Sequence, residues 1–436
     1  MRPRETETTP FPVMGFGQLP AAFTKREVFE AIRAAGINVF MTASDPKTIH
    51  KQLDLAQKAG IRALICDPRL APSVGARATA ARKAAVAEYR EHPATFGFYV
   101  KDEPLASQFP EVAQAIHALR EEAPEKVAYV NSFGCGQWGA ASFFEYAETF
   151  ARDLRPAFLS FDAYPISRIP PRASWSQFYE ADRGYEVPEL GAYYRDSYAE
   201  AWETFWLMGW KYRLPLWGFV LATPHQHSIW FYGPVTESTM RLEAFTGLAY
   251  GAHATQYFTL PTFSFPGWQS GLLDSEGRPT PRLDACRQIN RDLAVLGPIV
   301  REMTSTGVYY TGLFTSGCRR FAAVARPAGL LSSHQPVAGF EGDPVLAGFL
   351  KDARGEGHVM LVNRSPARAA RVRLALEMGW AVDEVLKTTG ARYPMRRVPV
   401  EVDLEPGDGR LFRFRRIAAA EEGKIAPKRK RIGMRG

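Results

Sequence analysis

The residues whose types and spacing carry the most chemistry are Asp102 and Glu103. They end the apolar run Phe96-Gly97-Phe98-Tyr99-Val100-Lys101-Asp102-Glu103-Pro104. Two adjacent carboxylates at the end of a strand-like segment put negative charge where burial is costly. Beside a like charge and partly buried, a carboxylic acid holds its proton to higher pH, which is what a general acid needs near neutrality. The competing reading is a helix start, with Asp102 as the cap and Glu103 in the first turn. Asp162 ends a second run, Ser160-Phe161-Asp162-Ala163-Tyr164-Pro165, and serves either as a base or nucleophile or as a structural carboxylate tying loops together. Asn131 ends a third and can hydrogen-bond a ligand hydroxyl. Tyr164, Trp217, Tyr257 and Trp268 lie at or just beyond strand ends, where rings either stack on flat ligands or fill the core. His225 and His227, with a carboxylate such as Asp67 or Asp162, have the residue types of a hydrolytic metal site. No further ligand motif accompanies them, so hydroxyl contacts or a plain loop role fit better, and no metal or other cofactor is expected.

Hydrophobic periodicity supplies the elements that must position these groups. Eight short apolar runs, 13–17, 38–42, 63–67, 95–100, 126–131, 158–164, 215–222 and 254–260, read as strands. Between them lie helical patterns over 25–35, 46–59, 80–92, 109–122, 189–210 and 237–250, several closed by Gly36, Gly60 or Gly251 just past the helix end. Pro46 suits a first helical turn. This alternation predicts an α/β fold, a (β/α)8 TIM barrel over residues 1–300 whose site lies at the C-terminal ends of the strands. A doubly wound open sheet is the competing topology, but Met14-Gly15-Phe16-Gly17 is not a phosphate-binding loop. Beyond Leu296-Gly297-Pro298 the runs become short with frequent turn signals, at 307–315, 320–325, 345–351, 357–363, 369–376 and 398–414. Those predict a small C-terminal antiparallel β-sandwich over 301–416, with 327–344 as a long loop inside it. Residues 417–436 are expected to be a basic disordered tail.

Composition narrows the partners. The chain has 436 residues, 46% of them hydrophobic and 12% aromatic, and a net charge of +8. Half of that charge belongs to the tail, where Lys424, Lys428, Arg429, Lys430, Arg431 and Arg435 face only Glu421 and Glu422. The body is nearly balanced and carries no recognition helix or stacking platform, so nucleic acid is not an expected partner. No run reaches the ~18 apolar residues of a membrane span, and no signal peptide is visible. The chain therefore reads as cytoplasmic as it stands, or secreted or periplasmic if a leader precedes it. Cys66, Cys135, Cys286 and Cys318 have no metal-type spacing and too low a density for a disulfide framework. Oligomeric state is not legible.

Three segments in order, the Asp102-Glu103-Pro104 strand, Leu248-Ala249-Tyr250-Gly251-Ala252-His253-Ala254-Thr255-Gln256-Tyr257-Phe258, and Gly271 to Thr280 followed by Ile289-Asn290, resemble barrel glycoside hydrolases. The likeness extends over residues 13–416 and is greatest to the β-galactosidase-like barrels of family 42, in clan A, and to barrels with Asp-Glu-Pro at strand four. It implies a glycosidase acting on an oligo- or polysaccharide or a glycoconjugate, with Glu103 as general acid/base. The pattern is broken at strand seven, where clan A retaining enzymes carry a nucleophilic Glu and Leu216-Trp217-Gly218-Phe219-Val220-Leu221-Ala222-Thr223 has no carboxylate. Three solutions follow. The sugar's own 2-acetamido group attacks, oriented by Asp102; Asp162 acts as base or nucleophile; or Glu237 is recruited, although Thr236-Glu237 also reads as a helix cap. The rival functions are a non-catalytic carbohydrate-binding protein on a degenerate barrel and a metal-dependent barrel hydrolase.

Overall fold

The computed structural model describes residues 10–136, 138–168, 184–227, 230–311, 336–395 and 397–417. Eight parallel strands, β1 (Val13–Gln18), β2 (Val39–Met41), β3 (Arg62–Ile65), β4 (Thr95–Asp102), β5 (Val127–Phe133), β6 (Leu159–Asp162), β7 (Leu216–Leu221) and β8 (Ala254–Phe258), pair in chain order. The barrel closes where β8 pairs with β1. Each strand is buried on both faces, as a parallel sheet wrapped in helices requires. Met14, Phe16, Val39, Met41, Leu64, Phe96, Tyr129 and Phe219 fill the lumen. Val13, Phe40, Ala63, Ile65, Phe98 and Val220 face outward beneath the helices.

The surrounding helices are α1 (Arg26–Ala34), α2 (Pro46–Ala59), α3 (Ala76–Tyr89), α4 (Phe109–Glu122), α5 (Phe143–Thr149), α6 (Asp196–Tyr212), α7 (Glu237–Ala249) and α8 (Pro281–Arg301). Their ends follow local chemistry. The Asp45 side chain accepts from the Thr48 N–H at the start of α2, Pro46 fills its first turn, and Gly60 ends it in the left-handed conformation at φ 69°. Two helices, α5 and α8, had no counterpart in the hydrophobic pattern. The density of charge in α8 (Arg282, Asp284, Arg287, Arg291, Asp292) masks its apolar face of Leu283, Cys286, Ile289, Leu293 and Leu296, and the helix runs through Pro298 to Arg301.

The pattern over 189–210 is not one helix. A turn at Pro188–Leu190 ends at Gly191 with φ 55°, a strand covers Ala192–Arg195, and only then does α6 begin. That strand joins Gly184–Val187, Ile166–Ser167, Trp230–Tyr232 and His225–His227 in a five-stranded antiparallel sheet rooted in the segments that leave β6 and β7. Sheet pairing there overrides helical periodicity.

After α8 come a six-stranded antiparallel sheet (Thr304–Tyr310, Val345–Lys351, Gly357–Asn363, Gly409–Arg416, Trp380–Val385, Arg392–Pro394) and a three-stranded one (Val337–Gly342, Ala370–Leu376, Val400–Leu404). They close over Val345, Phe349, Leu361, Val372, Leu374, Val402 and Phe412 to form the β-sandwich. Val337–Gly342 lies in the segment read as loop; it is a strand because it pairs antiparallel with Ala370–Leu376, a long-range partner no local pattern reveals. The run at 320–325, residues 327–335 of the expected loop, and all of the basic tail beyond Ile417 lie outside the described residues.

Candidate active site

The site grows from a kink at the end of β4. The register of β4 on β5 shifts between Tyr99 and Lys101, which sets Asp102 opposite Asn131 and turns its side chain toward the barrel axis. Glu103 follows with φ 44°, a left-handed backbone that a non-glycine residue adopts only when its surroundings hold it there. Two clamps do so. The Glu103 N–H donates to the Asn131 carbonyl at 3.0 Å, and the buried Tyr146 hydroxyl donates to the Pro104 carbonyl at 2.8 Å.

Across the lumen a chain of hydrogen bonds orients Asn131. Tyr129 donates to Gln256 Oε1 at 2.7 Å, Gln256 Nε2 donates to Ser160 Oγ at 2.9 Å, and Ser160 donates to Asn131 Oδ1 at 2.7 Å. With its oxygen so engaged, Asn131 must turn its Nδ2 toward the carboxylates. It donates to Asp102 Oδ1 and to Asp162 Oδ1, each at 3.1 Å. Glu103 completes the cluster by hydrogen bonding to Asp162. Asp102, Glu103 and Asp162 are partly buried as residues, and burial of the carboxyl is the largest influence on both Asp102 and Glu103.

Electrostatics follow from this crowding. Burial first, and then the charge of Asp162, lift Asp102 to about 7, against the opposing pull of the Asn131 N–H and Lys101. Glu103 is raised further, by burial, by the charges of Asp162 and Asp102, and by donating to Asp162. At neutral pH Glu103 holds a proton and shares it with its neighbour.

An aromatic wall stands beside the carboxylates. Tyr164 lies edge-on to Tyr232 at 5.5 Å, His225 packs on Trp268 at 4.4 Å, and Phe258 touches Tyr164 and Trp268 at 5.8 and 5.7 Å. Phe265, 58% exposed, extends the wall outward at 5.4 Å from Trp268. Arg195 lies over the Tyr232 ring at 5.4 Å. The Tyr164 hydroxyl is buried without a hydrogen-bond partner.

Of the residues singled out by sequence, Asp102, Glu103, Asp162, Asn131, Tyr164, His225 and Trp268 therefore converge at this mouth. Others do not. Trp217 sits at the start of β7, at the opposite end of the barrel, stacked on Phe158 at 3.8 Å. Tyr257 points outward and donates to Asn290 of α8 at 2.8 Å, because alternation along β8 sends it away from the lumen. Glu237 occupies the first turn of α7 and pairs with Arg241 at 3.0 Å. His227 belongs to the strand that pairs with Trp230 in the hairpin beyond β7. Asp67 is taken up by Arg69 and by the Tyr89 hydroxyl at 2.9 Å. Where the chain leaves β7, Thr223 and Thr259 share a hydrogen bond of 2.8 Å, so no carboxylate occupies that position. His225 Nδ1 is engaged by the Thr223 carbonyl at 2.8 Å. Among the described residues no group of three or more His, Cys, Asp or Glu is arranged to hold a metal ion.

Sequence reasoning missed Tyr129, Ser160, Gln256, Tyr232 and Arg195. Ser160 and Gln256 did leave a signal, as polar residues inside otherwise apolar barrel strands, where each must find a partner.

No family model matches the sequence, and no curated protein does. Solved structures do. A glycoside hydrolase family 5 protein from Bacteroides vulgatus matches with a TM-score of 0.57 at 11% identity, over 93% of this chain and 89% of that one. A β-galactosidase from the Antarctic haloarchaeon Halorubrum lacusprofundi matches with a TM-score of 0.50 at 10% identity, over 93% and 100%. Against a β-galactosidase from the psychrophilic Marinomonas ef1 the TM-score is 0.48 at 12% identity, and this chain spans 60% of that one. Likeness at this identity defines the fold: a (β/α)8 barrel with an appended β-sandwich, an architecture shared with glycoside hydrolases. It does not single out family 42.

Proposed function

We propose that the protein is a glycoside hydrolase acting on an oligosaccharide, polysaccharide or glycoconjugate. The observation that carries this reading is the convergence of Asp102, Glu103 and Asp162 around Asn131 at the C-terminal mouth of the barrel, next to an aromatic wall suited to sugar faces. Glu103 is the proton donor. It holds its proton at neutral pH, delivers it to the glycosidic oxygen as the bond to the anomeric carbon breaks, and then as carboxylate takes a proton from the incoming water. The negative charge of Asp162 stabilises the positive charge that develops on the sugar ring. Tyr164, His225 and Trp268 hold the substrate against the carboxylates. No helix among the described residues is long and apolar enough to cross a membrane.

The second reading, a sugar-binding module on a degenerate barrel, draws on the threonine pair at the end of β7. One experiment separates them. Glu103→Gln lowers hydrolysis of aryl glycosides by about 10³-fold, the usual contribution of a general acid, while the circular dichroism spectrum is unchanged. Tight sugar binding by the native protein with no turnover across a broad panel would sink the enzyme reading.

A further inference from the structure

Resting on the glycosidase reading, we infer that the C-terminal sandwich takes part in substrate recognition: Arg364 positions the aromatic wall of the site through the five-stranded sheet at the barrel mouth. The strand order of that sheet, His225–His227, Trp230–Tyr232, Ile166–Ser167, Ala192–Arg195, Gly184–Val187, puts its two edges to different uses. One edge carries His225 and, one strand in, Tyr232, the rings that meet Trp268 and Tyr164. The other edge, Gly184–Val187, meets the sandwich through Tyr185.

The hold on that far edge is specific. Arg364 follows the strand Gly357–Asn363 and is 3% exposed. Its Nη1 donates to the Thr311 carbonyl at 2.8 Å, and its guanidinium carbon sits 5.4 Å from the centre of the Tyr310 ring and 5.9 Å from that of Tyr185. Tyr310 is anchored in turn. It shares a hydrogen bond of 2.7 Å with the Tyr250 hydroxyl, which donates to Glu203 of α6 at 2.6 Å. A cation held over aromatic rings away from water is attracted to them more strongly than an exposed one, so Arg364 clips the sheet edge to a point fixed on barrel and sandwich alike. Arg368 of the sandwich also pairs with Glu189, in the turn after the edge strand, at 3.0 Å, but both are exposed and the pair adds little.

From Tyr185 the sheet leads to the wall by short steps. Tyr185 lies opposite Tyr194 in the ladder and stacks on it at 5.0 Å. The next residue, Arg195, donates its N–H to the Pro165 carbonyl at 2.7 Å, one residue beyond Tyr164. Its buried guanidinium lies over the Tyr232 ring at 5.4 Å and donates to the Tyr232 hydroxyl. Tyr232 meets His225 at 5.0 Å and Tyr164 at 5.5 Å. The strand joining the two halves of the sheet, Ile166–Ser167, has only two residues. A sheet so narrow at its middle has little stability of its own and depends on what it packs against.

Releasing Arg364 therefore lets the wall shift while the carboxylates, tied to Asn131 within the barrel strands, stay in place. The wall touches the substrate before and during bond cleavage alike, so its displacement weakens binding more than it slows the chemistry.

The test compares full-length variants on the 4-nitrophenyl glycoside that the native protein turns over fastest in a broad panel. Arg364→Met removes the cation and keeps a long side chain; it should raise KM about 10-fold and change kcat by less than about two-fold. Tyr185→Leu breaks the same contact from the partly exposed sheet edge, where folding is least at stake, and should do the same. Because both changes break one contact, the double variant should be no worse than either single one. Arg241→Met is the control: it breaks the charge cluster that seats the sandwich on α7 and α8 and should lower stability without moving KM. An unchanged KM in Tyr185→Leu, additive effects in the double variant, or an equal rise in KM for Arg241→Met overturns the inference and leaves the glycosidase reading intact. Absence of native turnover across the panel removes both.

Discussion

Glu103 combines two costly states, a left-handed backbone and a buried proton-bearing carboxyl. Both are expected at a functional position and both have a thermodynamic signature. Its native pKa lies above the 4.5 of the exposed group. Above about pH 4.5 the unfolded chain has released a proton that the native state still holds, so stability falls as pH rises through that window. Asp102 adds to the same trend between 3.8 and about 7. The native protein should therefore lose thermal stability from pH 5 to pH 8. Glu103→Gln, which removes the raised carboxyl, should raise the melting temperature at pH 7 by about 2–4 °C while lowering turnover by about 10³-fold. A melting curve at each pH checks the sign, and a mutant less stable than the parent at pH 7 would contradict it. Asn131 acts through the carboxylates it separates. Asn131→Ala removes two N–H donors that favour the charged forms, so it should shift the pKa of Asp102 upward, move the pH–rate profile the same way, and lower kcat by about 10-fold or more. Ser160→Ala, which releases the Asn131 amide, should do the same more weakly.

At the level of elements, the carboxylates meet because three neighbouring strands end in register. Asp102 faces Asn131 across β4 and β5, and Phe133 faces Asp162 across β5 and β6. The outer packing that keeps β7 beside them has little slack. A Cβ at Gly218 would lie 2.3 Å from Trp202 Cη2, and the Trp202 ring, carried by α6, is held between Phe161 at 4.9 Å and Tyr250, on which it stacks at 5.2 Å. Gly218→Ala should thus destabilise the protein by about 2 kcal/mol. Denaturant unfolding at constant slope reads this directly, and a neutral result would mean that the Trp202 ring is free to move. The aromatic wall belongs to the same scale. It is assembled from the segment after β6, the hairpin after β7, and the end of β8 with the segment that follows it, so its rings come from three stretches of chain more than twenty residues apart.

For the whole molecule, the sandwich seats itself on α7 and α8 through a charge cluster. Arg241 of α7 reaches Asp292 of α8 at 2.8 Å and Asp408 of the sandwich at 3.2 Å, with Lys387 pairing to Asp408. Gly348 allows the closest approach, since a Cβ there would lie 2.1 Å from the Ala249 carbonyl. Arg241→Met leaves two largely buried carboxylates with only Lys387 to compensate, and should cost about 2–3 kcal/mol and loosen barrel from sandwich. Calorimetry should show the transition broadened or split, and an unchanged single transition would assign the contact no weight. The charge of the chain acts at this scale too. Half of the net +8 lies in the terminal segment, while the mouth of the barrel gathers three carboxylates, a setting for a neutral or cationic ligand rather than a polyanion.

Much of this was determined locally and could be read from the chain. The eight barrel strands lie where apolar runs end in polar residues, and Asp102, Glu103, Asn131 and Asp162 stand at those ends because strand alternation and barrel topology place such positions at one mouth. What sequence could not decide was direction and partnership. Trp217 and Tyr257 belong to strands that were correctly located, yet one lies at the far end of the lumen and the other points at a helix, since a single step along a strand reverses its face. The segment at 337–342 is a strand only because 370–376 lies beside it. The absent carboxylate at β7 was visible in the chain, but its consequence was not. Only the folded barrel sets Glu103 against Asp162 and leaves the Tyr164 hydroxyl unpaired beside them, because hydrogen bonds between residues about sixty positions apart depend on which strands the closing barrel makes neighbours.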